Sequence, residues 1–358
     1  MVATASQDGN LPAEDISSFE EASKTLVVTV FHHKRLQKKG PGRESSGGKE
    51  FHLRLPGVFE NMQIPDPDLK WWDTFISNPI ARDVSRARLK IPQSFGLDYS
   101  SFRHHRFATE FESKYAVEMV FDVCPYVAAN GERPLKLALF DIDSTLINEE
   151  VIDELARSIG ISDAVSAITA RAMNGDIDFA ASLKERVAML KGVPTTVWED
   201  LKKTVTIAEG ARELIAGLKK MGVYTGVVSG GFTPMAEWLK EQLGLDIAVA
   251  NHLLESAPTE EFPFPHLSGQ LNPEFPIVTP ELKKTTLLQL SAERSVPLSE
   301  TLAVGDGSND LLMLGTAGLG IAWRAKEKVQ IAAPMRLNGK SLADLLYVFG
   351  PDKDFDES

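Results

Sequence analysis

The sequence predicts an α/β protein: a doubly wound parallel sheet, a helical segment inserted after the first core strand, and a small α+β region in front. Two patterns and one size argument carry this. Apolar runs recur at Leu135 to Phe140, Val223 to Val228, Ile247 to Ala250, Leu302 to Val304 and Leu319 to Trp323. Most are followed by small or acidic residues and then by helix-period stretches at Glu209 to Lys220, Pro234 to Leu243, Glu281 to Glu293 and Asp310 to Leu314. Such alternation predicts parallel strands covered on both faces. The 358 residues leave room for two domains, and 43% hydrophobic with 25% charged content excludes a disordered, collagen-like or disulfide-stapled chain.

Taken in order, the N-terminal region (1–130) opens with a β-branched run, Leu26 to Phe31, that reads as a strand. It leads into 32–54, where seven Lys/Arg sit among Gly40, Gly42, Gly47 and Gly48, a composition expected of a mobile loop. Leu69 to Ile76, with Trp71 and Trp72, suggests a packed helix, and Tyr115 to Val123 a second strand. None of these segments carries a motif with chemistry, so the role of 1–130 is not legible. Beyond it, 134–345 holds the core, and 346–358 reads as a tail. The inserted segment, about 146–206, is helical in period, with Val151, Leu155 and Ile159, then Leu183, Val187 and Leu190.

Charge narrows the function. Lys+Arg total 38 against 50 Asp+Glu, a formal charge of -12. That opposes binding to nucleic acid or an anionic membrane surface, and a phosphorylated substrate would need a local cation. No apolar run reaches the ~18 residues of a membrane span. A lone Cys124 excludes an internal disulfide and a multi-cysteine zinc site, and fits a reducing compartment; with no leader-like pattern in the first two dozen residues, the expected setting is cytoplasmic. A homodimer is compatible with the sequence but not readable from it.

In open α/β sheets ligands bind at the carboxyl ends of strands. There the sequence places Asp141-Ile142-Asp143-Ser144-Thr145, then Ser229-Gly230-Gly231-Phe232, then Gly305-Asp306-Gly307-Ser308-Asn309-Asp310, with Lys283 opening a helix between the last two. Asp and Ser after a strand can simply cap the next helix, and Gly-Asp-Gly can be a turn. Four such groups at strand ends are harder to explain that way. Asp141, Asp143, Asp306 and Asp310 on one edge would repel unless a cation sat among them, and hard oxygen ligands favour Mg²⁺. Ser229 and Lys283 then offer a hydroxyl and an ammonium to phosphate oxygens, an arrangement suited to in-line phosphoryl transfer.

The order Asp141-x-Asp143-x-Thr145, Ser229-Gly230, Lys283, Gly305-Asp306-Gly307-x-Asn309-Asp310 resembles the haloacid dehalogenase superfamily, and within it the phosphoserine phosphatase branch, over about residues 134 to 345. The resemblance implies a Rossmann-like core, hydrolysis of L-phosphoserine to L-serine and phosphate, and a place in serine biosynthesis. Asp141 would be the nucleophile and Asp143 the acid-base. Asp141, Asp306 and the main-chain carbonyl of Asp143 would hold Mg²⁺ with Asp310 in support, and Lys283 would bridge Asp141 and the phosphate. The inserted helices would form a cap over the site. In that cap Glu150 would meet the substrate amino group, Arg186 its carboxylate, and Met173 and Phe179 its apolar surroundings, while Ser229, Gly230, Lys283 and Asn309 would hold the phosphate side.

Glu150 could equally be a helix N-terminal acid and Arg186 a surface residue. The segment Glu255 to Pro280 is longer and richer in Pro than the family's usual hairpin, so the site rim or a subunit contact is expected to differ there. Rival readings are a phosphatase or phosphotransferase for another small phosphorylated amino acid or alcohol, such as phosphohomoserine, and a non-catalytic regulatory relative. Regulation by serine is left open.

Overall fold

A computed structural model describes residues 23–32, 78–81, 84–92, 109, 112–113, 117–124 and 134–349. The expected loop at 33–54, helix at 69–76 and terminal residues 350–358 lie outside them.

Four strands form an antiparallel N-terminal sheet, β1 (Ser23–His32), β2 (Asn78–Ala81), β3 (Val84–Pro92) and β4 (Val117–Cys124), in the order β2-β3-β1-β4. Both strands expected in this region are present. The inward side chains Val28, Phe31, Met119 and Phe121 join the same apolar core as the rest of the molecule.

The second sheet has six parallel strands: β5 (Leu137–Phe140), β6 (Tyr224–Phe232), β7 (Ile247–Asn251), β10 (Thr301–Gly305), β11 (Leu319–Trp323) and β12 (Met335–Leu337). Their spatial order is β12-β11-β10-β5-β6-β7. The chain winds outward from β5 through β6 to β7, then returns to the other side of β5 at β10. The reversal leaves a crevice between the carboxyl ends of β5 and β10, the usual ligand position in such sheets. Alternation along β5 shows why both faces are covered: Ala138 and Phe140 pack on one side, Leu137 and Leu139 on the other.

Helices cover those faces. Between β5 and β6 run α1 (Val151–Ser158), α2 (Ser162–Asn174), α3 (Phe179–Ala188), α4 (Val197–Thr204) and α5 (Ala211–Lys220); after β6 comes α6 (Thr233–Leu243). The first four form the inserted segment. Its two connections to the core lie side by side, with Asn148 N–H donating to the Thr206 carbonyl (3.0 Å) and Ala208 N–H to that of Leu146 (2.9 Å). Beyond β7 stand the hairpin β8 (Leu253–Ser256) and β9 (His266–Leu271), then α7 (Pro280–Glu293), α8 (Leu311–Thr316), α9 (Glu327–Ala332) and α10 (Leu346–Phe349).

Two details depart from the sequence expectation. β12, only three residues long, was not anticipated; it joins the sheets, since Asn338 just beyond it donates through its backbone N–H and Nδ2 to Glu118 of β4, both at 2.7 Å. The tail expected from 346 begins instead as α10, whose Leu346, Val348 and Phe349 are buried in the core. The Pro-rich segment forms the β8–β9 hairpin and binds the inserted helices: Gly192 N–H donates to Leu267 O (2.9 Å), Leu267 N–H to Val193 O (2.8 Å) and Thr195 N–H to Pro265 O (3.0 Å).

Candidate active site

The crevice floor is acidic and tightly bonded. Asp141 follows β5; its backbone N–H donates to the Val304 carbonyl of β10 (2.9 Å), and its Oδ1 accepts the Ile142 N–H (2.8 Å). Helix α7 starts where it does because the Thr279 hydroxyl accepts the Leu282 N–H and Pro280 occupies the first turn, where its missing N–H costs nothing. That start sets Lys283 one turn in and fully buried. Its ammonium lies 2.9 Å from Asp141 Oδ2 and 2.7 Å from Asp310 Oδ1. Asp310 Oδ2 accepts the Gly307 N–H at 2.9 Å. Gly305 must lack a side chain, since a Cβ there would collide with the Asp310 carboxylate. Lys283 therefore ties Asp141 to a second carboxylate, Asp310, a partner the sequence did not disclose.

Asp306, partly exposed, completes the floor and accepts a hydrogen bond from Thr145 Oγ1 at 3.3 Å. One oxygen from each of Asp141, Asp306 and Asp310 lies within 4.8 Å of the others. Three carboxylates face one ammonium. Burial, then the neighbouring carboxylates, push Asp306 up to about 8 and Asp310 up to about 7. Burial works against the charged form of Lys283, yet Asp141 and Asp310 more than offset it and hold that ammonium above the ordinary lysine range. Excess negative charge among hard oxygen donors fits a divalent cation of the Mg²⁺ class.

Asp143 stands two residues past Asp141, with its Oδ1 buried and without a hydrogen-bond partner. Burial, with the Glu150 and Asp141 charges adding to it, raises this carboxyl well above the usual range. Ser229, in β6 where its regular pairing with β7 breaks off, accepts the Gly231 N–H on its Oγ at 2.9 Å, which shapes the irregular strand end beside Asp143. Asn251 fixes the same strand end, donating to Gly230 O and accepting from Val278 N–H, each at 2.9 Å.

The inserted helices roof a cavity of about 400 Å³ that Asp141, Asp143, Ser229, Gly230, Asp306 and Asn309 line from below. Glu150, Phe179 and Arg186 line it from above. Glu150 occupies the N-cap of α1 but makes no capping bond; its Oε1 instead accepts the Ser144 hydroxyl at 2.7 Å. Asp178 caps α3 through the Ala181 N–H, which places Phe179 at the helix start, so close to Gly230 that a Cβ there would lie 2.9 Å from the Phe179 ring. Arg186, half-buried, spends Nε on the Ser182 carbonyl (3.3 Å), and among the described residues no carboxylate stands within ion-pair distance of it. Met173 falls in the last turn of α2, and its side chain lies outside the described residues.

The cavity also takes in Ile152, Asp153, Leu183, Lys326 and Lys328, none of which the sequence marked as a site residue. Two had a readable signal: Leu183 lies four residues after Phe179 and three before Arg186, on one helical face, and Asp153 lies three after Glu150. Asn251 had none, since its work is a tertiary crosslink between distant backbone groups.

A family model described as haloacid dehalogenase-like hydrolase matches residues 135–318. The chain belongs to that family. Among its relatives, a phosphoserine phosphatase of Saccharomyces cerevisiae is 44% identical over 238 residues, covering 65% of this chain and 74% of the relative. Among solved structures, a haloacid dehalogenase family hydrolase of Salmonella enterica serovar Typhi superposes with a TM-score of 0.68 at 26% identity, covering 91% of this chain and 98% of the other. A phospho-aspartyl intermediate analogue of phosphoserine phosphatase gives 0.54 at 38% identity, covering 61% of this chain and 100% of the other. The N-terminal sheet thus belongs to the wider likeness, and the core with its inserted helices to both.

Proposed function

We propose that this chain is an L-phosphoserine phosphatase, releasing L-serine and inorganic phosphate. The observation that carries the reading is the two-sided cavity: a floor with Asp141, backed by Lys283, and Ser229 for a phosphoryl group, and a roof offering Glu150 and the unpaired fork of Arg186 to an amino group and a carboxylate. Relatives at about 40% identity carry the same name. Catalysis falls to residues 134–345 with a cap at about 146–206, residues 1–130 take no part in it, and the protein works in the cytosol.

Asp141, Asp306 and Asp310, with the main-chain carbonyl of Asp143, would hold Mg²⁺. When bound, the cation neutralises the carboxylate cluster and draws charge from phosphoryl oxygens. Asp141 attacks phosphorus; the bond from phosphorus to the serine oxygen breaks as a bond to the Asp141 carboxylate forms, and Asp143 gives its proton to the departing oxygen. Asp143 then takes a proton from water, whose oxygen displaces Asp141 and yields phosphate. Lys283 holds Asp141 in line throughout, and Ser229 and Asn309 bind the phosphoryl oxygens. The cap keeps other water out.

Phosphate release from a panel of phosphomonoesters, with and without Mg²⁺, tests this. Phosphoserine should be turned over far better than esters lacking the amino and carboxylate groups. Equal rates on all esters would sink the phosphoserine assignment, and preference for a longer phosphorylated amino acid would transfer it to the homologous substrate.

A further inference from the structure

We propose that Lys326 and Lys328 form a cationic entrance that draws the phosphoryl dianion into an otherwise acidic cavity. The inference rests on the phosphomonoesterase reading above. Both side chains line the cavity, Lys326 at the N-cap of α9 and Lys328 in its first turn, just past the carboxyl end of β11, and both are exposed. Neither stands within ion-pair distance of a carboxylate among the described residues. Lys326 lies near enough to Glu150 for its charge to favour the ionised form of that carboxyl.

The need for such a device follows from charge. The chain carries a formal -12 and, even with a cation on Asp141 and Asp306 and a proton on Asp143, Glu150 and Asp153 still turn negative charge to the cavity. A phosphomonoester approaching from solvent is repelled before it can reach Lys283, whose ammonium is buried behind Asp141 and already engaged by two carboxylates. Arg186 sits deeper, in the roof. Exposed cations at the rim act over roughly a Debye length, about 8 Å at physiological salt, and clefts that focus charge raise on-rates by about 10- to 1,000-fold. Their contribution therefore belongs to capture, and it is felt through the phosphoryl charge whatever the rest of the ester.

The test compares the Lys326→Gln/Lys328→Gln double variant with the unaltered protein, and with Lys220→Glu, which changes net charge equally at an exposed site outside the cavity. At low ionic strength the double variant should lose about three- to tenfold in kcat/KM through KM, with kcat held, and alike on phosphoserine and p-nitrophenyl phosphate. Near 1 M salt, where the Debye length is about 3 Å, the difference should vanish. An undiminished kcat/KM, a loss that persists at high salt, a loss confined to phosphoserine, or an equal loss in Lys220→Glu would each overturn the proposal. Calorimetry with inorganic phosphate at both salts gives a second readout: weaker binding in the double variant at low salt is expected, and unchanged affinity overturns the proposal even if no ester is turned over. Failure of the unaltered protein on every phosphomonoester would instead strike the functional reading.

Discussion

The floor and the roof of the cavity are built in opposite ways. On the floor every charged group but Asp143 is committed: Lys283 is fully buried between Asp141 and Asp310, Asp310 also takes the Gly307 N–H, and Thr145 holds Asp306. On the roof the polar groups are underused, since Arg186 has only the Ser182 carbonyl on its Nε and Glu150 only the Ser144 hydroxyl. The floor is organised before substrate arrives, as transition-state stabilisation requires. The roof keeps its hydrogen-bonding capacity for whatever enters. Chemistry and selectivity are thus separable, and substitutions should divide along that line.

The largest effect is expected at the floor. Asp141→Asn should abolish turnover and acyl-phosphate formation, yet hold or raise Tm, because it removes one of three mutually repelling carboxylates. A variant that still accumulated acyl phosphate would move the nucleophile elsewhere. Removing Mg²⁺ with a chelator should also stop turnover on every ester, reversibly on re-addition; full activity in excess chelator would refute the metal assignment. Lys283→Met should cost both activity and about 3–5 kcal/mol of stability, since it strands two buried carboxylates, and denaturant unfolding measures that loss directly.

Roof substitutions should be smaller and selective. Arg186→Ala, and Arg186→Lys to a lesser degree, should lower kcat/KM for phosphoserine by roughly ten- to a hundredfold, the worth of a charged hydrogen bond of about 1.5–3 kcal/mol, and spare p-nitrophenyl phosphate. Parallel losses on both esters would reduce Arg186 to a structural residue. The mildest change is Gly230→Ala, where floor and roof touch: its Cβ would press on the Phe179 ring, which can tilt, so both esters should slow by only a few-fold. Selective loss on phosphoserine there would mean that the two surfaces are less separable than their geometry implies.

The same division governs what could be read from the chain. The floor was legible because its residues come as short contiguous strings after apolar runs: β11 spans the very residues expected, and Asp141, Ser229 and Asp306 line one crevice with Lys283 behind Asp141. The roof was legible only through resemblance, because Glu150 and Arg186 carry no local signature apart from helical spacing. Tertiary crosslinks stayed hidden. The second carboxylate on Lys283, the Asn251 bridge and the three-residue β12 each depend on partners far away in sequence. Helix α10 leaves no mark in the sequence, because four residues are too few to show a period.

The hairpin bonded to the inserted helices has a mechanical consequence. The inserted helical segment is bonded at two separate places, the paired connections at 146–148 and 206–208 and the hairpin contacts at 192–195 and 265–267. A lid on one hinge can swing and twist freely. One pinned at two points, as these helices are, has a single easy rotation left to it, about the line that joins them.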